Sequence, residues 1–167
     1  MLTVKPTKFP DAKLLLPDVF VDRRGYFKET FSTRKYADLG ILDEWRQDAV
    51  SRSTKNVLRG LHYDVRMAKL VQVLEGSAYD VIVDVREGSP TRGQWQGFEL
   101  TGDNHLQLYV PKGFAHGFLA LSDVAIFHYK MSVLYDAAHE RLLKWNDPFV
   151  GVAWPLDGPP VLSDKDA

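Results

Sequence analysis

The chain has 167 residues, with 21 basic and 22 acidic side chains for a formal net charge of -1, and no cysteine. That length predicts one domain over residues 1–167, with a core large enough to stand without staples. The missing cysteine excludes a disulfide framework, a thiolate metal site and a cysteine nucleophile, and the near-neutral charge argues against a general nucleic-acid binder.

Read in chain order, the opening MLTVKPTKFPDAKLLL lacks the apolar block and small-residue cleavage site of a secretory signal. No apolar run approaches the roughly 18 residues of a membrane span. The expectation is a cytoplasmic protein that meets no membrane. Asp22–Glu29, DRRGYFKE, is charged and by itself reads as a solvated loop. Ser32–Leu39 reads as a helix, capped by Ser32 or Thr33 and ended by Gly40.

After Val50 the pattern is strand and turn. Asn56–Asp64, NVLRGLHYD, is a mostly apolar strand interrupted by Arg59 and His62. Strict alternation puts these two on opposite faces, but Gly60 between them can mark a bulge that re-aims both. Lys69–Glu75 alternates. Ser77–Arg86 does too, with Tyr79, Val81, Val83 and Val85 on one face and Asp80, Ile82 and Asp84 on the other. REGSPTRG then turns the chain. WQGFEL, HLQLYV, FLALS and VAIFHYKM follow as short strands separated by TGDN, PKG and SD. About eight or more short strands with so little helix predict an all-β sandwich or barrel. There is no βαβ alternation, no G-x-G-x-x-G and no P-loop.

Three positions could carry chemistry. The side chain of His62 interrupts an apolar strand. The side chain of His116 sits between two glycines and two phenylalanines in PKGFAHGF, where a ligand could approach the backbone. Tyr129 and Lys130 of FHYKMS point to opposite faces of a strand, and a tyrosine hydroxyl is protonated at neutral pH and can act as an acid. Each alone is more simply a core or surface residue.

Together they form a pattern. DRRGYFKETF, VLRGLHY, KLV, DVIVDVR, GSPTRGQW, PKGFAHGF, HYK, KWNDP, WPL and LSDKD occur in this order. In this the sequence resembles the nucleoside-diphosphate 4-keto-6-deoxysugar 3,5-epimerases, the family of dTDP-4-dehydrorhamnose 3,5-epimerase. The resemblance runs from about residue 13 to 166. It implies a cupin-type jelly roll with one or two short helices, no metal and no organic cofactor. It also implies a homodimer that exchanges N-terminal strands, with a nucleoside-diphosphate-linked 4-keto sugar as substrate. The ketone acidifies the neighbouring C–H bonds, so the chemistry needs a base on one face of the ring, an acid on the other, and a cation or donor at the enolate oxygen.

By resemblance His62 is the base, Asp166 the carboxylate that orients it, Tyr129 the acid and Lys69 the group near the ketone oxygen. Arg24, Arg59, His116 and Lys165 would meet the diphosphate. Glu29, Gln47, Asp48 and Glu140 would contact nucleotide or sugar, with Arg24 and Glu29 acting across the dimer. The sequence departs from the family in places. Tyr63–Ala68 is shorter than the usual loop, Asp64 replaces a glutamine, Ala49 an asparagine and Leu134 a tyrosine. Short-loop relatives act on other nucleotide sugars, GDP-linked heptoses among them, so the resemblance leaves the base and the inverted carbon open. The other classes are a sugar-nucleotide 3,4-ketoisomerase, a non-catalytic sugar-nucleotide binder and a metal-dependent cupin. The last would need clustered ligands, and the histidines, at 62, 105, 116, 128 and 139, include no His-x-His pair.

Overall fold

The structure is a computed structural model that describes residues 1–167. Strands β1 (Thr3–Lys5), β2 (Lys13–Leu16), β3 (Val19–Asp22) and β4 (Gly25–Lys28) precede helix α1 (Thr33–Ala37). Then come β5 (Gln47–Ser53), β6 (Leu58–Tyr63), β7 (Lys69–Glu75), β8 (Ser77–Asp84) and β9 (Trp95–Thr101). β10 (Gln107–Val110), β11 (Phe114–Ala120), β12 (Ala125–Met131) and β13 (Arg141–Leu142) complete the set.

Two antiparallel sheets face each other, in the orders β1-β2-β10-β7-β12-β5 and β13-β6-β11-β8-β9. This is the expected cupin-type jelly roll, with one helix. Period-2 alternation explains it, because each strand sends one side-chain row between the sheets. Val71, Val73 and Phe127 from the first sheet pack there against Ile82, Leu100, Phe114 and Phe118 from the second. Phe118 and Phe127 stack across the gap with ring centroids 4.2 Å apart and planes 3° from parallel.

Both outer faces are covered too. Tyr36 of α1 and Ile41 cover Leu15, Leu70 and Tyr109 of the first sheet. Val150, Val152 and Trp154 pack on Leu61, Val81, Val83 and Ala115 of the second. The two faces expected for Ser77–Arg86 are therefore the two faces of β8. Ser32 caps α1, its side chain accepting from the Lys35 N–H, and the turn runs on to Gly40 at φ 80°.

The REGSPTRG turn is built around Asp84. This fully buried carboxylate accepts from Arg86 Nη2 at 2.8 Å, Ser89 Oγ at 2.5 Å and Thr91 Oγ1 at 2.6 Å. Asp22–Glu29, expected as a loop, instead contains most of the β3–β4 hairpin, a separate two-stranded sheet. After β13 the chain has no further strand, only a parallel bridge between Val57 and Val161 that brings its end back to β6.

Candidate active site

The starts of β5 and β7 and the ends of β6 and β12 meet at one end of the jelly roll. A cavity of about 370 Å³ opens there between the sheets. His62, Arg59 and His116 line the wall from the second sheet, and Lys69, Tyr129 and Gln47 the wall from the first.

Arg59 and His62 share this cavity because of a bulge. His116 pairs with His62 and Phe118 with Arg59, so Gly60 and Leu61 together face the single residue Gly117. The extra residue reverses the alternation, as Gly60 suggested. Gly60 holds φ 123°, and a Cβ on it would fall 2.7 Å from Gly117 Cα and 2.9 Å from the His116 carbonyl oxygen. Leu61 points the other way, into the core behind the sheet.

The imidazole of His62 is 25 % exposed, and its Nε2 lies 2.5 Å from Asp166 Oδ1. The carboxylate is buried, and its other oxygen accepts from Ser163 Oγ at 3.1 Å. A carboxylate only accepts, so Nε2 carries the proton and Nδ1 is left with a free lone pair. Nδ1 is 3.5 Å from Glu140 Oε1. Glu140 in turn accepts from Lys165 Nζ and, at 3.1 Å, from Tyr135 OH. Burial disfavours its ionisation, but the Lys165 ammonium and the Tyr135 hydroxyl, with the His62 imidazolium when it forms, outweigh that and hold its carboxyl below the usual range.

Directly beside His62, a second histidine is backed by a second carboxylate. His116 is buried, with Nε2 2.8 Å from Asp80 Oδ2, and Asp80 Oδ1 is buried without a hydrogen-bond partner. Burial lowers the His116 pKa and raises that of Asp80. His116 was expected to present positive charge to the diphosphate. It does line the cavity, where burial disfavours its cation and Asp80 favours it. Lys69 is pulled down to about 8 by burial, against the opposing pull of Asp80, Glu140 and Asp64.

Tyr129 faces the cavity from β12, and its hydroxyl is 2.9 Å from Ser51 Oγ on β5. Burial pushes its pKa up to about 12. Lys130 points to the other face, where it donates to Asp48 at 2.8 Å. Arg59 Nε donates to Ser53 Oγ at 3.1 Å.

The structure thus brings together His62, Asp166, Tyr129, Lys69, Arg59, His116, Gln47 and Glu140, with Lys165 at the rim on Glu140. Three expected contacts lie elsewhere. Asp48 alternates with Gln47 and Ala49, so it faces away from the cavity, toward Lys130 and His128. Arg24 is exposed at the tip of the β3–β4 hairpin and forks onto Asp22. Glu29 pairs with Lys35 at 2.9 Å. Leu134 is exposed and lies in a shallow outer groove, not in the cavity.

Sequence reading missed Asp80, Ser51 and Ser163. For Asp80 the only sign is its place beside the core residue Ile82, on a face of β8 that also carries Asp84. The short loop is folded on Asp64, which takes the Arg66 guanidinium at 2.6 and 2.9 Å and lines the cavity. No group of three or more His, Asp or Glu side chains is arranged to hold a metal ion.

Comparisons with known proteins agree with this geometry. The profile of the dTDP-4-dehydrorhamnose 3,5-epimerase family matches residues 6–167. The chain is 48% identical over 163 residues to the Neisseria gonorrhoeae dTDP-4-dehydrorhamnose 3,5-epimerase, covering 96% of this chain but only 49% of that protein. It is 47% identical over 160 residues to the Pseudomonas aeruginosa enzyme of the same name, covering 94% and 88% of the two chains. Among solved structures, the Legionella pneumophila dTDP-6-deoxy-D-glucose-3,5-epimerase in complex with dTDP-4-keto-L-rhamnose superposes with a TM-score of 0.97. The two are 44% identical, over 99% of this chain and 90% of that one. The Bacillus anthracis dTDP-4-dehydrorhamnose 3,5-epimerase with TDP and pyrophosphate bound gives 0.95 at 45% identity, over 99% and 97%. A match of this length, to the profile and to the solved folds alike, means that the chain belongs to the dTDP-4-dehydrorhamnose 3,5-epimerase family.

Proposed function

We propose that this cavity epimerises a dTDP-linked 4-keto sugar, with residues 1–167 acting as one domain. One observation carries the reading. A histidine backed by a buried carboxylate and a protonated tyrosine stand on facing walls of one cavity, with a lysine alongside them. His62 removes the acidified proton through Nδ1 as Asp166 holds the Nε2 proton and steadies the imidazolium. Lys69 stabilises the enolate oxygen while it is protonated, and Tyr129 returns a proton to the opposite face of the ring. Arg59, Gln47, Glu140 and Lys165 bind diphosphate, nucleotide or sugar. The thymidine ligands of the Legionella and Bacillus relatives favour dTDP over the GDP that the short loop had left open.

The test is exchange in deuterium oxide with a dTDP-linked 4-keto-6-deoxyhexose, read by NMR. Deuterium is expected at C3, C5 or both, and His62→Asn is expected to slow exchange at least about a hundredfold. Wild-type exchange in that variant removes His62 as the base. A 3-keto product would instead make the protein a ketoisomerase.

The working form is a homodimer that exchanges its N-terminal strands. The β3–β4 hairpin supports this reading, with Phe20 61%, Val21 77%, Tyr26 52% and Phe27 69% exposed. A monomeric protein rarely leaves such a patch in water. Arg24 and Glu29, remote from their own cavity, would then serve the partner's. Light scattering should give twice the chain mass of 19.0 kDa, and Phe27→Glu should shift it toward the monomer and lower activity together. A cytoplasmic setting belongs to the same proposal, because a charged diphosphate does not cross a bilayer unaided.

A further inference from the structure

An acid and a base on opposite faces leave a debt after each inversion. His62 ends with one proton too many and Tyr129 with one too few. Both must be restored before another carbon can be inverted. His62 faces the open cavity, with a quarter of its side chain exposed. Tyr129 lines the same cavity, where a bound sugar would cover it, and is otherwise packed against Phe118 and Phe127, and burial opposes its anion.

The hydroxyl of Tyr129 has one hydrogen-bond partner, Ser51 Oγ at 2.9 Å. Ser51 lies on β5, the edge strand of its sheet, between the cavity-lining Ala49 and the buried Ser53, and it is itself partly exposed. A serine hydroxyl both donates and accepts, and it rotates freely. Ser51, partly exposed on that edge strand, can therefore pass a proton between the phenol and water while a sugar fills the cavity.

We propose that Ser51 is the positioning residue through which Tyr129 regains its proton from solvent after each inversion. The inference rests on Tyr129 being the acid. The atoms balance. In the inversion the Tyr129 O–H bond breaks and a C–H bond forms at the enolate carbon, leaving a tyrosinate. The Ser51 O–H bond then breaks as the Tyr129 O–H re-forms, and Ser51 takes a proton from water. His62 releases the proton it removed from carbon back to water, so no proton is gained or lost overall. Arg59, whose charge favours the tyrosinate, and Asp80, whose charge disfavours it, are the ionic groups acting on Tyr129.

The test is Ser51→Ala, with Ser51→Thr as the variant that keeps the hydroxyl. The assay follows C–H exchange on a dTDP-linked 4-keto-6-deoxyhexose in deuterium oxide. With enzyme in excess, the first exchange needs no reset and should run at the wild-type rate in Ser51→Ala. In steady state, kcat should fall about a hundredfold, the low end of what a lost proton-transfer partner costs, and KM should fall with it, because a slower reset leaves kcat/KM unchanged. Ser51→Thr should recover most of kcat. A wild-type kcat in Ser51→Ala overturns the proposal. So does a first exchange slowed as much as kcat, which would make Ser51 a mere prop for Tyr129, and so does failure of Thr to restore the rate. Tyr129→Phe separates this from the parent reading. If it keeps full activity, the acid assignment falls and takes the relay with it. If it is inactive while Ser51→Ala is normal, only the relay falls.

Discussion

Lys69 is the residue whose charge is most finely set. Burial pulls it down to about 8, while Asp80, Glu140 and Asp64 pull the other way. Its cation is present below that pH and lost above it. The alkaline limb of kcat/KM should therefore fall near pH 8 if Lys69 stabilises the enolate. Asp80→Asn keeps an acceptor for His116 but removes the first of the opposing charges, so that limb should move to lower pH by about one unit. An unmoved limb would mean that another group sets it. His62, Tyr129, Lys69 and Asp166 were legible because short motifs mark them. Asp80 was not, because nothing in a strand's alternation says that its inward acid will meet a histidine from β11. Ser51 was hidden in the same way, since its partner lies on a different strand and only pairing brings them within reach.

At the scale of elements, the β6 bulge makes the site. Without it Arg59 and His62 would face opposite sides of the sheet. Gly60→Ala places a methyl group against Gly117 and the His116 carbonyl at a backbone φ of 123°. The variant should lose about 2 kcal/mol or more of stability, seen as a lower urea midpoint, and lose activity as the two histidines move apart. Gly60 is legible as the pivot, because glycine inside a strand signals a bulge. β7 is legible residue for residue and β8 in both its faces, since their alternation is strong. β1 to β4 are not, because KLLL does not alternate and β1, β3 and β4 carry little buried surface. Alternation also explains Asp48. The resemblance named Gln47 and Asp48 together, but neighbours on a strand cannot both face one cavity.

At the scale of the molecule, the last residues complete the chemistry more than they support the core. The tail returns along Val57, and a short turn sets Asp166 under His62, with Ser163 donating to its carboxylate. Removing Ser163–Ala167 should leave the thermal midpoint within a few degrees. Exchange should nonetheless fall at least about a hundredfold, because the histidine loses its orienting acid. A large drop in the midpoint would assign the tail to the fold instead. The jelly roll itself was legible from strand spacing, whereas the covering of its back by Val150, Val152 and Trp154 was not, since irregular chain has no period to read.

The bonds of the site also differ in how far along the chain they reach. His62 and Asp166 are 104 residues apart, Ser51 and Tyr129 78, and Asp80 and His116 36. None of these pairs forms within a single hairpin, and distant contacts close late because of the entropy that must first be lost. A partly assembled chain therefore holds His62 without its acid and Tyr129 without its hydroxyl partner. The reactive groups stay chemically silent until the most separated parts of the polypeptide have met, so catalytic competence and completed folding arrive together.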